Sequence, residues 1–117
     1  MTEPEACIFC RIAGKSLPAT IQYEDDLALA FNDINPWAKT HVLIVPKRHL
    51  RNLDDATDED RDLLGHLFRV ASHVAAKLGV ADDGYKILVN NGAGAGQVVF
   101  HLHLHLLSGP RIGRHAL

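Results

Sequence analysis

A chain of 117 residues can bury one real core but is too short for two ordinary domains, so a single domain over 1–117 is expected. With 47% hydrophobic residues and a formal net charge of −2, the composition is that of a globular chain with no call for a nucleic-acid or membrane partner. The acidic start, Met1 to Glu5, lacks the basic flank and apolar stretch of a secretory signal, and no apolar run approaches the roughly 20 residues that span a bilayer.

The expected compartment is therefore the cytoplasm, where the two cysteines stay reduced and metal or redox chemistry outranks a structural disulfide. In chain order, Ile8, Phe9 and Ile12 stand at helical spacing before Gly14, predicting a short helix over 8–13. Strands follow at 20–24 and 27–31 with Asp25 and Asp26 as their turn, and 33–36 reads as a loop because Asn35 precedes a proline. His41 to Val45 is a near-continuous apolar run ending at Pro46, the mark of a buried central strand. Over 58–78, Leu63, Leu64, Leu67, Phe68, Ala71, Val74, Ala75 and Leu78 recur at three- and four-residue steps, giving a long amphipathic helix. Thr57 can cap its start and Gly79 its end, and His66 and His73 fall on its polar side. A strand at 86–90, a glycine-rich turn at 92–96 and a last strand at 98–107 complete the chain. Adjacent pairs of strands favour an α+β fold with a mainly antiparallel sheet.

Histidine is the unusual residue: eight in all, three of them in His101-Leu102-His103-Leu104-His105-Leu106-Leu107. In a strand, alternate residues share a face, so the imidazoles would line one side, facing a cleft, and the leucines would pack on the long helix. Surface strands usually fill such polar positions with Thr, Lys, Glu or Ser. One metal ion cannot take all three rings tetrahedrally, because the outer Cα atoms of five extended residues lie roughly 13 Å apart. A neutral imidazole is a competent nucleophile near pH 7, and its neighbours can bind phosphoryl oxygens and move protons. That combination suits chemistry at phosphorus.

The pattern His-apolar-His-apolar-His-apolar-apolar resembles the histidine-triad (HIT) family, and more specifically its Hint branch. Tyr23 to Asp26, Ala30 to Pro36, Thr40 to His49, Val89 to Gly92 and Gly96-Gln97 are similar to Hint segments in the same order, across about residues 7–108. The resemblance implies a HIT-like fold, with a five-stranded antiparallel sheet, one long helix and one short one. It implies a hydrolase of purine nucleoside 5′-phosphoramidates, in which His103 forms a covalent nucleotidyl intermediate, His105 lies by the phosphate and leaving group, and His101 and His41 support the site. It further implies that Asn90, Gly96 and Gln97 lie near the phosphate and that Asp33 binds the ribose hydroxyls. Ile8, Phe9, Ile12, Phe31 and Ile34 would form the purine slot. The apolar residues also have an ordinary core reading, and Asp33 a turn-capping one. The run Gly92 to Gly96 is not a Walker loop, since no Gly-Lys-Ser/Thr follows, but its backbone could approach phosphate closely. Where Hint proteins commonly carry a small hydroxyl residue after Gly-Gln, this chain has Val98, so that contact is lost while the nucleophile stays.

Cys7-Ile8-Phe9-Cys10 has the spacing of half a zinc site. Several HIT proteins complete this pair with two histidines at positions matching His49 and His101, which implies a structural zinc ion; two buried cysteines without metal are the alternative. The resemblance also implies a homodimer, with a tail after Gly109 able to reach the partner's site. Two other activities fit the same residues: a dinucleoside polyphosphate hydrolase, and a zinc-stabilised nucleotide-binding module with little turnover.

Overall fold

The computed structural model describes residues 6–110 and 112; Met1 to Glu5 and the tail at Arg111 and 113–117, including any reach toward a partner, lie outside them. Five strands form one antiparallel sheet in the order β1-β2-β3-β5-β4: β1 (Ile21–Glu24), β2 (Ala28–Asn32), β3 (Thr40–Pro46), β4 (Lys86–Leu88) and β5 (Leu104–Ser108). The short helix α1 (Ile8–Ala13) and the long helix α2 (Arg61–Lys77) complete the α+β architecture expected from the sequence. Every residue of β3 from His41 to Pro46 is buried, as an apolar run in the central strand requires.

The sheet separates two packed layers. On one face Ala28, Ala30, Val42, Ile44, Leu102, Leu104 and Leu106 meet Leu67, Val70, Ala71, Val74 and Ala75 of α2. On the other, Leu29, Phe31, Leu43 and Val45 meet Cys7, Phe9 and Ile12 of α1 and the segment before it. Alternation along β2, β3 and β5 sends neighbouring side chains to opposite layers. The leucines of the His-Leu repeat therefore belong to the α2 layer, and the histidines to the α1 layer.

Several boundaries differ from the sequence expectation, each for a local reason. Residues 58–60 form a 3-10 turn that leads into α2, with Thr57 and Asp60 making a reciprocal capping box. At the other end Val80 N–H bonds Ala75 O and Gly79 N–H bonds Ala76 O, a Schellman closure with Gly79 at φ 73°. Phe68, expected on the apolar face, is 54% exposed, and Val70 takes the buried place beside Leu67 and Ala71.

The last strand starts at Leu104 rather than at 98. The β3–β5 ladder ends at the pair Ile44 and Leu104, while Val45 and Pro46 continue the ladder with β2. Leu102 N–H bonds Leu50 O instead, at 2.7 Å. β4 ends at Leu88, opposite His105 of β5.

Candidate active site

His105 sits in β5 between Leu43 of β3 and Leu88 of β4, while His101 and His103 occupy the irregular approach to that strand. All three share the α1 face but do not stand in an open cleft: His101 is 0%, His103 7% and His105 4% exposed. Phe9 covers His101 and His103 edge-on, with centroids 5.9 and 5.0 Å away, and Trp37 lies on His105. The expectation of outward-facing rings is corrected by these two aromatic covers, which come from segments remote in sequence.

Main-chain groups fix the proton positions of the cluster. A carbonyl can only accept, so His103 Nδ1, 2.7 Å from His101 O, carries the proton and donates it. His103 Nε2 is thereby left with the lone pair. On the other side Trp37 N–H donates to His41 Nδ1 at 3.1 Å, so His41 carries its proton on Nε2. That Nε2–H donates to His105 Nδ1 at 2.9 Å, which places the His105 proton on Nε2. His105 Nε2 is buried and has no hydrogen-bond partner among the described residues. An orphaned buried donor costs roughly 1–3 kcal/mol, so its persistence beside a lone-pair nitrogen suits an acceptor that arrives with a ligand. The rings of His103 and His105 are 4.9 Å apart.

Burial keeps this cluster uncharged. It pushes His105 down to about 3, and the neighbouring His103 and His41 act in the same direction. Burial also lowers His41 and His103, against the opposing pull of the Asp33 carboxylate on both. Asp33 Oδ1 accepts from Asn35 N–H at 2.8 Å, capping the turn after β2, and Oδ2 lies 3.6 Å from His41 Nε2. The carboxylate thus closes a loop and faces the histidines at once.

Gln97 is 4% exposed and its amide staples the glycine-rich turn. Its Nε2 donates to Arg51 O and Val99 O at 2.8 and 3.0 Å, and its Oε1 accepts from Gly92 N–H at 2.8 Å. Gly92 and Gly96 flank that turn at φ 92° and 94°, a backbone region that other residues enter at a cost. Asn90 lies beside Gly96, close enough that a Cβ there would stand 3.9 Å from its Nδ2. Val98 is 85% exposed. Of the residues expected at the purine slot, Phe9, Ile12 and Phe31 pack in one buried cluster, whereas Ile8 and Ile34 are 43% and 85% exposed.

Cys7, Cys10, His49 and His101 converge on a second centre, their ligand atoms all within 4.8 Å of one another. Cys7 Sγ is 3.3 Å and Cys10 Sγ 3.5 Å from His101 Nδ1, and Cys10 Sγ is 3.2 Å from His49 Nδ1. Tetrahedral zinc with Zn–S of about 2.3 Å and Zn–N of about 2.0–2.1 Å has S···N edges of about 3.5 Å, so the donor set fits that ion. His101 Nε2 donates to Pro46 O at 2.8 Å, which turns the Nδ1 lone pair toward the sulfurs, as an oriented metal ligand needs. Burial, with Cys7 adding to it, raises the Cys10 thiol to about 11, a penalty that a cation would reverse.

Sequence reasoning missed Trp37, whose N–H sets the direction of the His41–His105 bond and whose ring covers His105. Its available signals were that it is the only tryptophan and stands four residues before His41. It also missed the carbonyls of Pro46 and Arg51, for which a sequence carries no mark.

Comparisons with known proteins agree with this fold. The HIT domain family model matches residues 15–112. A HIT-like protein of Synechocystis is 54% identical over 90% of this chain and 91% of its own length. The purine nucleoside phosphoramidase of Escherichia coli is 40% identical over 93% of this chain and 92% of its own. Among solved structures, a HIT family hydrolase from Clostridium thermocellum superposes with a TM-score of 0.92 at 45% identity, covering 97% of this chain and 98% of that one. A histidine triad protein from Clostridium difficile gives 0.90 at 42%, covering 96% of each. With its imidazoles on one face of a five-stranded antiparallel sheet and relatives matched almost end to end, the chain belongs to the HIT family of hydrolases.

Proposed function

We propose that this chain, as one HIT domain, hydrolyses purine nucleoside 5′-phosphoramidates to the nucleoside monophosphate and an amine through a nucleotide carried on His103. The observation that carries the reading is the tautomer of His103, anchored through Nδ1–H on a carbonyl with Nε2 as the lone-pair atom. The 40% identity to a purine nucleoside phosphoramidase supports the substrate class.

In the first step His103 Nε2 attacks the α-phosphorus, the P–Nε2 bond forms and the P–N bond to the amine breaks. The positive charge that develops on the ring is steadied at Nδ1–H by His101 O. His105 Nε2–H hydrogen-bonds a non-bridging oxygen, and the amine departs with a proton that reaches it through the histidine cluster from solvent. Water then attacks phosphorus: the new P–O bond forms, the P–Nε2 bond breaks and returns its electron pair to His103, and the water's proton passes back through the histidine cluster to solvent.

Asp33 receives the ribose hydroxyls, and the backbone of 92–96, with Asn90, meets the phosphate. Gln97 acts there by holding the turn. Phe9, Ile12 and Phe31 back the purine, with Ile8 and Ile34 at its exposed edges. Cys7, Cys10, His49 and His101 hold a structural zinc ion, whose four protein ligands leave no position for substrate.

The working unit in this reading is a homodimer in the cytoplasm. The outer side of the three-residue edge strand β4 and the exposed Phe68 of α2 support a second copy. Among the described residues no helix is long and apolar enough to cross a membrane.

Adenosine 5′-phosphoramidate and a diadenosine polyphosphate, offered in parallel, test the reading. Faster turnover of the phosphoramidate, with nucleotide trapped on His103 after acid quench, is the expected result. Preference for the dinucleotide would assign the chain to polyphosphate hydrolysis, and nucleotide binding without turnover would make it a binding module.

A further inference from the structure

We infer that Trp37 is a positioning residue for His105, its indole ring holding that imidazole in the plane from which Nε2–H meets the phosphoryl group. The inference rests on the hydrolase reading above for its functional consequence, but not for its structural content.

Among the described residues His105 is tethered by hydrogen bonding at one atom only, Nδ1 to His41 Nε2, while its Nε2 has no partner there. A ring held at one nitrogen can pivot about that bond, and nothing polar opposes the pivot from the other side. The Trp37 ring supplies the missing restraint: its centroid is 4.6 Å from that of His105, with the two planes 19° apart. The same indole also touches His41, at 4.8 Å and 43°, so one side chain backs both members of the bonded pair. The remaining ring neighbour, His103, meets His105 in an edge-type contact at 61° and does not stack on it.

Trp37 is itself 50% exposed, so its ring lies between the buried pair and solvent. Removing it would bring water to His105 Nε2, giving that donor a competing partner and the ring a second resting orientation. The titratable groups facing His105 are His41, which the indole also contacts, His103, and Asp33, whose carboxylate lies within 4.8 Å of the ring nitrogens of His41 and His105. The backbone N–H of Trp37 survives any side-chain substitution, so the His41 tautomer serves as an internal control.

Three variants decide the matter: Trp37→Ala, Trp37→Leu and Trp37→Phe, each with kcat and KM for adenosine 5′-phosphoramidate and with imidazole 15N spectra. Alanine and leucine are expected to lower kcat on the order of 10-fold to 100-fold, the scale of an approximately 1 Å misplacement, with KM nearly unchanged. In the spectra His105 should change from one Nε2–H tautomer to a mixture, while His41 keeps its own. Phenylalanine, which can still stack, should restore most of both signals. Should alanine fail to fold, the comparison of leucine with phenylalanine carries the test. Wild-type tautomer signals in the alanine or leucine variant would overturn the inference, as would equal loss in leucine and phenylalanine. A rise in KM matching the fall in activity would also overturn it, by making Trp37 a substrate contact. If the wild-type protein turns over no phosphoramidate, the hydrolase reading fails, and the spectra still decide what Trp37 does.

Discussion

His41 Nε2 lies 2.9 Å from His105 Nδ1, and the hydrogen in that bond belongs to His41 because the Trp37 N–H already occupies His41 Nδ1. A proton added to His41 would set two donors against each other, so the pair is built to stay neutral. Burial presses in the same direction, lowering His41 and taking His105 to about 3.

The first prediction is a pH dependence. His105 titrates from an ordinary value of 6.5 in the unfolded chain to about 3 in the folded one. The unfolded state therefore binds the extra proton across that window, and the stability tied to this group is fully present above 6.5 and lost progressively as pH falls toward 3. Chemical denaturation at a series of pH values should show the decline beginning near pH 6.5, and His105 should remain neutral by NMR at pH 5. A charged His105 at pH 5 would refute this account of the cluster.

The second prediction separates chemistry from architecture. His103→Ala removes the lone-pair nitrogen and should abolish turnover, with a loss of at least about 1,000-fold, because no other nucleophile is aligned. His101 keeps its Nε2–H on Pro46 O and its Nδ1 toward the cysteines, so metal content should be unchanged. Activity and metal analysis on one preparation check both halves. Metal lost along with activity would show that His103 supports the neighbouring centre rather than the reaction.

Much of this site was readable from the chain, and what escaped has a physical pattern. The His-Leu alternation placed three imidazoles opposite α2, although only His105 is in a laddered strand, because side-chain direction survives beyond the last ladder pair, Ile44 and Leu104. The long helix was visible from its apolar period, yet that period could not tell Phe68 from Val70; which one is buried depends on how α2 is rotated on the sheet. Cys7 and Cys10 announced a metal half-site by spacing, but their geometry with His49 and His101 depends on the long-range packing of α1. Trp37, Arg51 O and Pro46 O were not legible, since a stacking plane and two carbonyl directions arise only when β3 and β5 are paired.

The third prediction concerns the cysteine–histidine centre. Its His101 also offers the carbonyl that anchors His103 Nδ1, so the two centres share one residue through side chain and main chain. Stripping metal with a strong chelator should lower Tm on the order of 10 °C, since a structural ion contributes several kcal/mol to a domain of this size. Cys10→Ser should do the same without chelator. Scanning calorimetry before and after chelation, with readdition of zinc, measures the effect. Equal melting curves for the stripped and reloaded protein would remove zinc from the structural account.

The fourth prediction follows from Gln97, whose three hydrogen bonds join Arg51 O, Val99 O and Gly92 N–H around the glycine turn. Gln97→Ala leaves those main-chain groups without their partner and should cost about 1–3 kcal/mol of stability. Gln97→Glu cannot donate to Arg51 O or Val99 O, so it should be no better than alanine despite its matching shape. If Gln97 acts as a staple, both variants should raise KM by loosening the turn that meets phosphate, while a nucleotide trapped on His103 still forms. Steady-state kinetics beside denaturation curves distinguishes this from direct ligand contact, in which activity would fall with stability unchanged. The near-complete burial of the amide, with both of its N–H groups already donated, makes the staple the expected result.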